Sequence, residues 1–127
     1  MVTSSKEEYF FKGSNILPSI IFRKEGNLKI EGRIIPDNIS SFFAPLRLWI
    51  NELKCENVIF DINIEYMSPN ASRELFHLIR ILAENTSIQH TVVLWHYEDE
   101  DEEYHEMGKF LATRFDTIRF ICMSYVR

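Results

Sequence analysis

Two serines at the start of a helix are the residues of this chain best placed to do chemistry. The apolar, β-prone run Val58 to Tyr66 leads directly into Met67, Ser68, Pro69, Asn70, Ala71 and Ser72. A strand brings such a junction to one spot at a sheet's rim, where the next helix points its unpaired N–H groups outward. A phosphate on Ser68, or on Ser72 one turn later, would add a charge of about −1.5 to −2, favoured by the helix's positive end and by Arg73. The plainer reading is an N-cap. The Ser68 oxygen accepts from an early backbone N–H, and Pro69 at the first helical position gives up a donor that had no partner. The residues alone leave both readings open.

Other reactive side chains point to less. His77 falls on the polar flank of a helix and His90 in a loop. His96 at a strand end and His105 in the following helix are close enough in sequence to approach one another, but no Ser, Cys or carboxylate completes a triad at recognisable spacing. The uninterrupted run Glu98, Asp99, Glu100, Asp101, Glu102, Glu103 invites a Mg²⁺ or Ca²⁺ reading. It lacks the turn glycine and alternating ligands of an EF-hand, and reads as a solvated loop ahead of a helix, where acids suit the dipole. Its best functional use is as a docking surface for a basic partner. Cys55 and Cys122 lack metal or redox spacing and read as reduced thiols. The four glycines are isolated, so no phosphate-binding loop is present. The expectation is a protein without catalytic residues, metal or cofactor.

Composition narrows the class further. The chain has 127 residues, 46% of them hydrophobic, with ten Phe, five Tyr and two Trp, enough for one ordinary core. A net charge of −5 repels phosphodiester backbones and argues against nucleic acid as a partner. No segment approaches the roughly 18 apolar residues of a membrane span, and the first residues lack a signal peptide's basic and apolar regions. No membrane association is expected, and the expected location is cytoplasmic.

These side chains need elements to hold them. Residues 1–13 read as an N-terminal arm with a weak edge strand around Tyr9, Phe10 and Phe11, ahead of a domain over 14–127. Short β-prone runs on either side of Glu25 and Gly26 predict a hairpin. Pro36, Asp37 and Asn38 open a helix in which Ile39, Phe42, Phe43, Leu46, Trp49, Ile50 and Leu53 recur at helical spacing, with a bend or broken first turn expected at Pro45. The strand at 58–66 is apolar almost throughout, as in strands buried on both faces of a central position. A second helix from about Pro69 to Asn85 carries the core stripe Ala71, Leu75, Leu78, Ile79 and Leu82. A strand over 91–97, a helix with Tyr104, Met107, Leu111 and Phe115 on one face, and a strand over 117–123 complete the chain. The sum is a single-domain α/β fold, a mixed sheet with helices packed mainly on one face.

From Ser14 onward the sequence resembles the SiaC-type biofilm-regulation phosphoproteins, whose fold is akin to SpoIIAA and other STAS domains. The resemblance lies in Leu28, Ile30, Gly32 and Arg33 followed by Pro36, Asp37 and Asn38. It continues through Phe42, Phe43, Pro45, Leu46 and Trp49, then Glu65 and Tyr66, and then Val93, Leu94, Trp95, His96 and Tyr97 with the acidic run. It implies a partner-switching circuit. There, a histidine-kinase-like ATPase phosphorylates the small protein, a PP2C-type phosphatase reverses this, and the unphosphorylated form activates a diguanylate cyclase. The family's Tyr-x-Asn-Thr-Ser-Ser-x-Lys pattern, aligned on Tyr66, puts its Asn at Ser68, its acceptor Thr at Pro69, its two Ser at Asn70 and Ala71, and its Lys at Arg73. The usual acceptor hydroxyl is therefore absent, and Ser68 and Ser72 are the nearest candidates. Tyr66, Met67, Pro69, Asn70, Arg73 and Phe76 are expected to form the switch loop and docking surface, with Glu98, Asp99, Glu100 and Asp101 as an acidic docking loop. The alternative is a ligand-sensing STAS-like module, with Phe76, Ile81 or Phe110 lining a pocket.

Overall fold

A computed structural model describes residues 2–4, 8–35 and 38–126. Seven strands, β1 (Val2–Ser4), β2 (Glu8–Phe11), β3 (Ser19–Arg23), β4 (Asn27–Ile34), β5 (Asn57–Met67), β6 (His90–Glu98) and β7 (Ile118–Tyr125), form one sheet in sequence order. Helices α1 (Ile39–Asn51), α2 (Pro69–Glu84) and α3 (Glu102–Arg114) occupy the last three connections. Pairings up to β3/β4 are antiparallel, and β4 to β7 run parallel. Each parallel step is a β-α-β crossover, which is right-handed almost without exception. Three such steps in the same direction place all three helices on one face.

The predicted elements are found, with differences at the N-terminal arm, in the coverage of β5 and at Pro45. The β3/β4 hairpin turns at Gly26, whose φ of 107° lies in the left-handed region and whose added Cβ would meet the Asn57 carbonyl oxygen at 2.1 Å. The arm's expected strand joins the sheet as β2, with Tyr9 buried, but it is not an edge strand, because β1, not foreseen from the sequence, pairs on its outer side. The α2 stripe is buried as read, at Ala71, Leu75, Leu78, Ile79 and Leu82. By contrast, β5 is covered on one face only. Val58, Phe60, Ile62 and Ile64 are buried under the helices, whereas Ile59 is 45% exposed on the opposite face, beside Asp61 and Asn63. With every helix on one side, that face has no layer over it among the described residues, and the alternation of Phe60, Ile62 and Ile64 with Asp61, Asn63 and Glu65 matches one-sided burial.

Helix α1 runs unbroken through the exposed Pro45, so its first turn is intact. Of its predicted start, Pro36 and Asp37 lie outside the described residues, and Asn38 stands at the N-cap without a side-chain cap bond. At its other end Asn85 Nδ2 donates to the carbonyls of Ile50 and Leu53, each at 2.9 Å, and Ser87 Oγ donates to Leu53 O at 2.8 Å. These bonds add donors to carbonyls at the end of α1, where intrahelical partners run out, beside the Leu53 N–H that Ile50 O also accepts. An Arg47–Glu74 ion pair joins α1 to α2. The two helices are thus locked together behind the β5–α2 junction.

Candidate partner-docking site

Because β5 and β6 are parallel, both strands end at the same edge of the sheet, and α2 and α3 both begin there. Ser68 has extended backbone (φ −70°, ψ 163°), and its Oγ accepts from the Ala71 N–H at 3.2 Å. Pro69 follows as the first helical residue. Ser72 donates its N–H to Ser68 O at 3.0 Å and its hydroxyl to Pro69 O at 2.8 Å. Both serines are half-buried and engaged in the first turn. The Ser68 N–H donates to Ile34 O at 3.1 Å, tying the junction to the end of β4.

The remaining expected docking residues divide. Tyr66 is 48% exposed, Pro69, Asn70 and Arg73 are exposed, and Phe76 is half-buried, whereas Met67 is turned into the core. Phe76 packs on Phe115 with ring centroids 5.2 Å apart, and the Arg114 guanidinium lies 5.8 Å from its ring. Between the two helices runs a groove of about 380 Å³. Pro69, Leu75 and Phe76 form the α2 wall and Met107, Phe110 and Leu111 the α3 wall, with Ser72 and Arg73 at the mouth. Phe110 is 56% exposed there. The α3 wall is hard to see in sequence, because Met107 and Leu111 also fit a core stripe. Phe110, lying off that stripe, is its one visible signal.

The acidic run serves two elements. Glu98 ends β6, Asp99 and Glu100 are exposed, and Asp101 N-caps α3 by accepting from the Tyr104 N–H at 3.1 Å, with Glu102 and Glu103 in the first turn. Acids there suit the helix's positive end. Behind them Trp95 is buried and donates its indole N–H to Tyr104 O at 2.8 Å. Gly108 lets α3 lie against that ring, since a Cβ at this position would sit 2.6 Å from Trp95 Cδ1. Burial raises the Tyr104 phenol to about 12, with the adjacent Met67 backbone pulling weakly the other way. Its hydroxyl nonetheless lacks a hydrogen bond of sound geometry.

The histidines do not converge. His96 Nε2 lies 3.0 Å from Asp61 Oδ1 on the open sheet face, while His105 stacks on Tyr97 at 4.4 Å. Successive residues of a strand point to opposite faces, so residues 96 and 97 hold these partners apart. Burial pushes both cysteine thiols up, opposite to the shift of an activated nucleophile. Among the described residues, no group of three or more His, Cys, Asp or Glu is placed to hold a metal ion, and no helix is long and apolar enough to cross a membrane.

A mixed sheet with all its helices packed on one face is a STAS-like fold. A family model for SiaC family regulatory phosphoproteins matches residues 11–125. The chain belongs to that family. Among solved structures it is similar to a chain in the crystal structure of the diguanylate cyclase SiaD in complex with its activator SiaC from Pseudomonas aeruginosa. That match has a TM-score of 0.80 at 16% identity and covers 91% of this chain and 98% of that one. A structure of SiaC of Pseudomonas aeruginosa gives 0.81 at 15% identity, covering 94% and 99%. At these identities the likeness is one of fold. A search of curated proteins finds no match.

Proposed function

We propose that this protein is a non-catalytic, cytoplasmic signalling component that binds and activates a diguanylate cyclase in a partner-switching circuit with a histidine-kinase-like ATPase and a PP2C-type phosphatase. The observation that carries the reading is the groove at the β5–α2 junction. It sets exposed apolar side chains, Arg73 and the first turn of α2 at one corner, on the element where a family phosphoprotein would be switched. The resemblance to SiaC, whose solved complex is with the cyclase SiaD, supports the choice of partner.

The junction further supports a protein held in its unphosphorylated form. Pro69 has no hydroxyl to modify, Ser68 Oγ caps the helix, and the Ser72 hydroxyl is bonded within the first turn. The tagged chain, expressed in its native host, is expected to capture a diguanylate cyclase and raise its cyclic dinucleotide synthesis, and Arg73→Glu is expected to weaken both. Phosphopeptide mapping over residues 67–73 should find no stoichiometric phosphate. Phosphate on Ser68 or Ser72 would overturn the fixed-state reading, and failure to capture a cyclase would overturn the partner assignment.

A further inference from the structure

We infer that the groove between α2 and α3 receives an amphipathic helix of the partner protein, seated by a large apolar side chain between Phe76 and Phe110 and oriented by basic residues facing Glu100, Glu102 and Glu103. The inference rests on the partner-binding reading and adds the shape and charge of the partner's element.

The shape follows from the walls. Both are helices starting from one edge of the sheet, so the trench between them runs along their axes. A third helix packs into such a trench through its ridges, at an interaxial distance of roughly 8–10 Å. Phe110 is more than half exposed and Arg73 stands free at the mouth. A small-molecule pocket would instead enclose most of its ligand's surface. Pro69, Leu75 and Met107 extend the apolar lining past a single anchor point, as the repeated anchors of a helix in a groove require.

The charge follows from α3. Glu103, Met107, Phe110 and Arg114 stand at i, i+4, i+7 and i+11, so one face of the helix runs from acid through apolar to base. At the base end Arg114 is already over the Phe76 ring, and on another face Lys109 is paired with Glu106 at 3.0 Å. At the acid end Asp99, Glu100, Glu102 and Glu103 are exposed, and the whole chain carries −5. A basic flank on the partner is complementary to that end. A second copy of this chain would bring the same acids against it, and like charges across an interface are penalised.

The test uses the full chain in its native host with Phe110 replaced by the photocrosslinker p-benzoylphenylalanine, followed by mass-spectrometric mapping of the crosslinked peptide. The expected product joins position 110 to a cyclase segment with apolar residues at i, i+3 or i+4 and i+7 and with Lys or Arg at one end. The combined Glu100→Lys, Glu102→Lys, Glu103→Lys variant, checked for native circular dichroism and melting, should bind about tenfold more weakly. A crosslink to an acidic or strand-like segment, to a small molecule or to a second copy overturns the proposal, as does unchanged affinity of the folded triple variant. Capture of the cyclase by the unmodified chain without any crosslink at 110 overturns the groove assignment while leaving the partner reading standing. If the unmodified chain captures no cyclase, both fall.

Discussion

At residue scale, Ser68 and Tyr104 bear opposite relations to burial. Ser68 takes up a donor that would otherwise have no partner, so Ser68→Ala should lower stability by about 1 kcal/mol in urea unfolding. Tyr104 carries a buried hydroxyl without a hydrogen bond, and an unmade bond is a cost that deletion removes. Tyr104→Phe should therefore be neutral or slightly stabilising. The same substitution has a pH signature. With the folded-state value raised from 10.0 to about 12, chiefly by burial, the folded protein holds this proton more tightly than the unfolded chain. The contribution is present in full below pH 10 and is lost as pH rises towards 12. Alkaline unfolding should be shallower over that window in Tyr104→Phe than in the native protein. The Ser68 cap is legible in sequence, because Ser-Pro ahead of an apolar stripe is a local signal. The state of Tyr104 is not, because its burial arises only when α3 lies over β6 and β7.

At element scale, local periodicity identifies helices and strands but leaves open what covers them. The α2 stripe, the β3/β4 hairpin and the acidic start of α3 can be read from spacing and capping residues within a few positions. The covered face of β5 can be read too, from Phe60, Ile62 and Ile64 alternating with Asp61, Asn63 and Glu65, whereas the side of the sheet on which the helices lie is set non-locally by the hand of three crossovers. A pair of substitutions measures this. Phe60→Ala should cost about 3–5 kcal/mol through the cavity left under the helices. Ile59→Lys, on the open face, should stay within about 1 kcal/mol of the native protein, and a large loss there would mean that this face is covered in solution. The α1–α2 lock is similarly non-local: Asn85 lies 35 residues from one carbonyl it serves and 32 from the other. Asn85→Ala should cost about 1–3 kcal/mol through the loss of two hydrogen bonds, although Ile50 O keeps the Leu53 N–H and Leu53 O keeps the Ser87 hydroxyl, as thermal unfolding would show.

At the scale of the whole molecule, the question is whether the corner proposed as a switch can still switch. Nearly every part of the corner is present: the rigid β5, the α2 N-terminus, Arg73 one turn along, and the groove behind it. In the proposed alignment, what differs from the family pattern is Pro69, which the structure places as an ordinary N1 proline. Pro69→Thr should leave the fold intact, because N1 needs no intrahelical donor and the proline's advantage there is only about 1 kcal/mol. If the proposed circuit operates in the native host, the variant hydroxyl should become a substrate for its kinase and return a phosphopeptide over residues 67–73. A phosphate at the groove mouth would be drawn to Arg73 and to the helix's positive end. It would also place about −1.5 to −2 of charge against the apolar seat of Phe76 and Phe110, where desolvation opposes docking. The phosphorylated variant should therefore lose the cyclase, and phosphatase treatment should restore binding. Retained binding by a stoichiometrically phosphorylated variant would show that the docking surface lies away from this corner. A folded variant that acquires no phosphate would count against the proposed kinase acting at this corner.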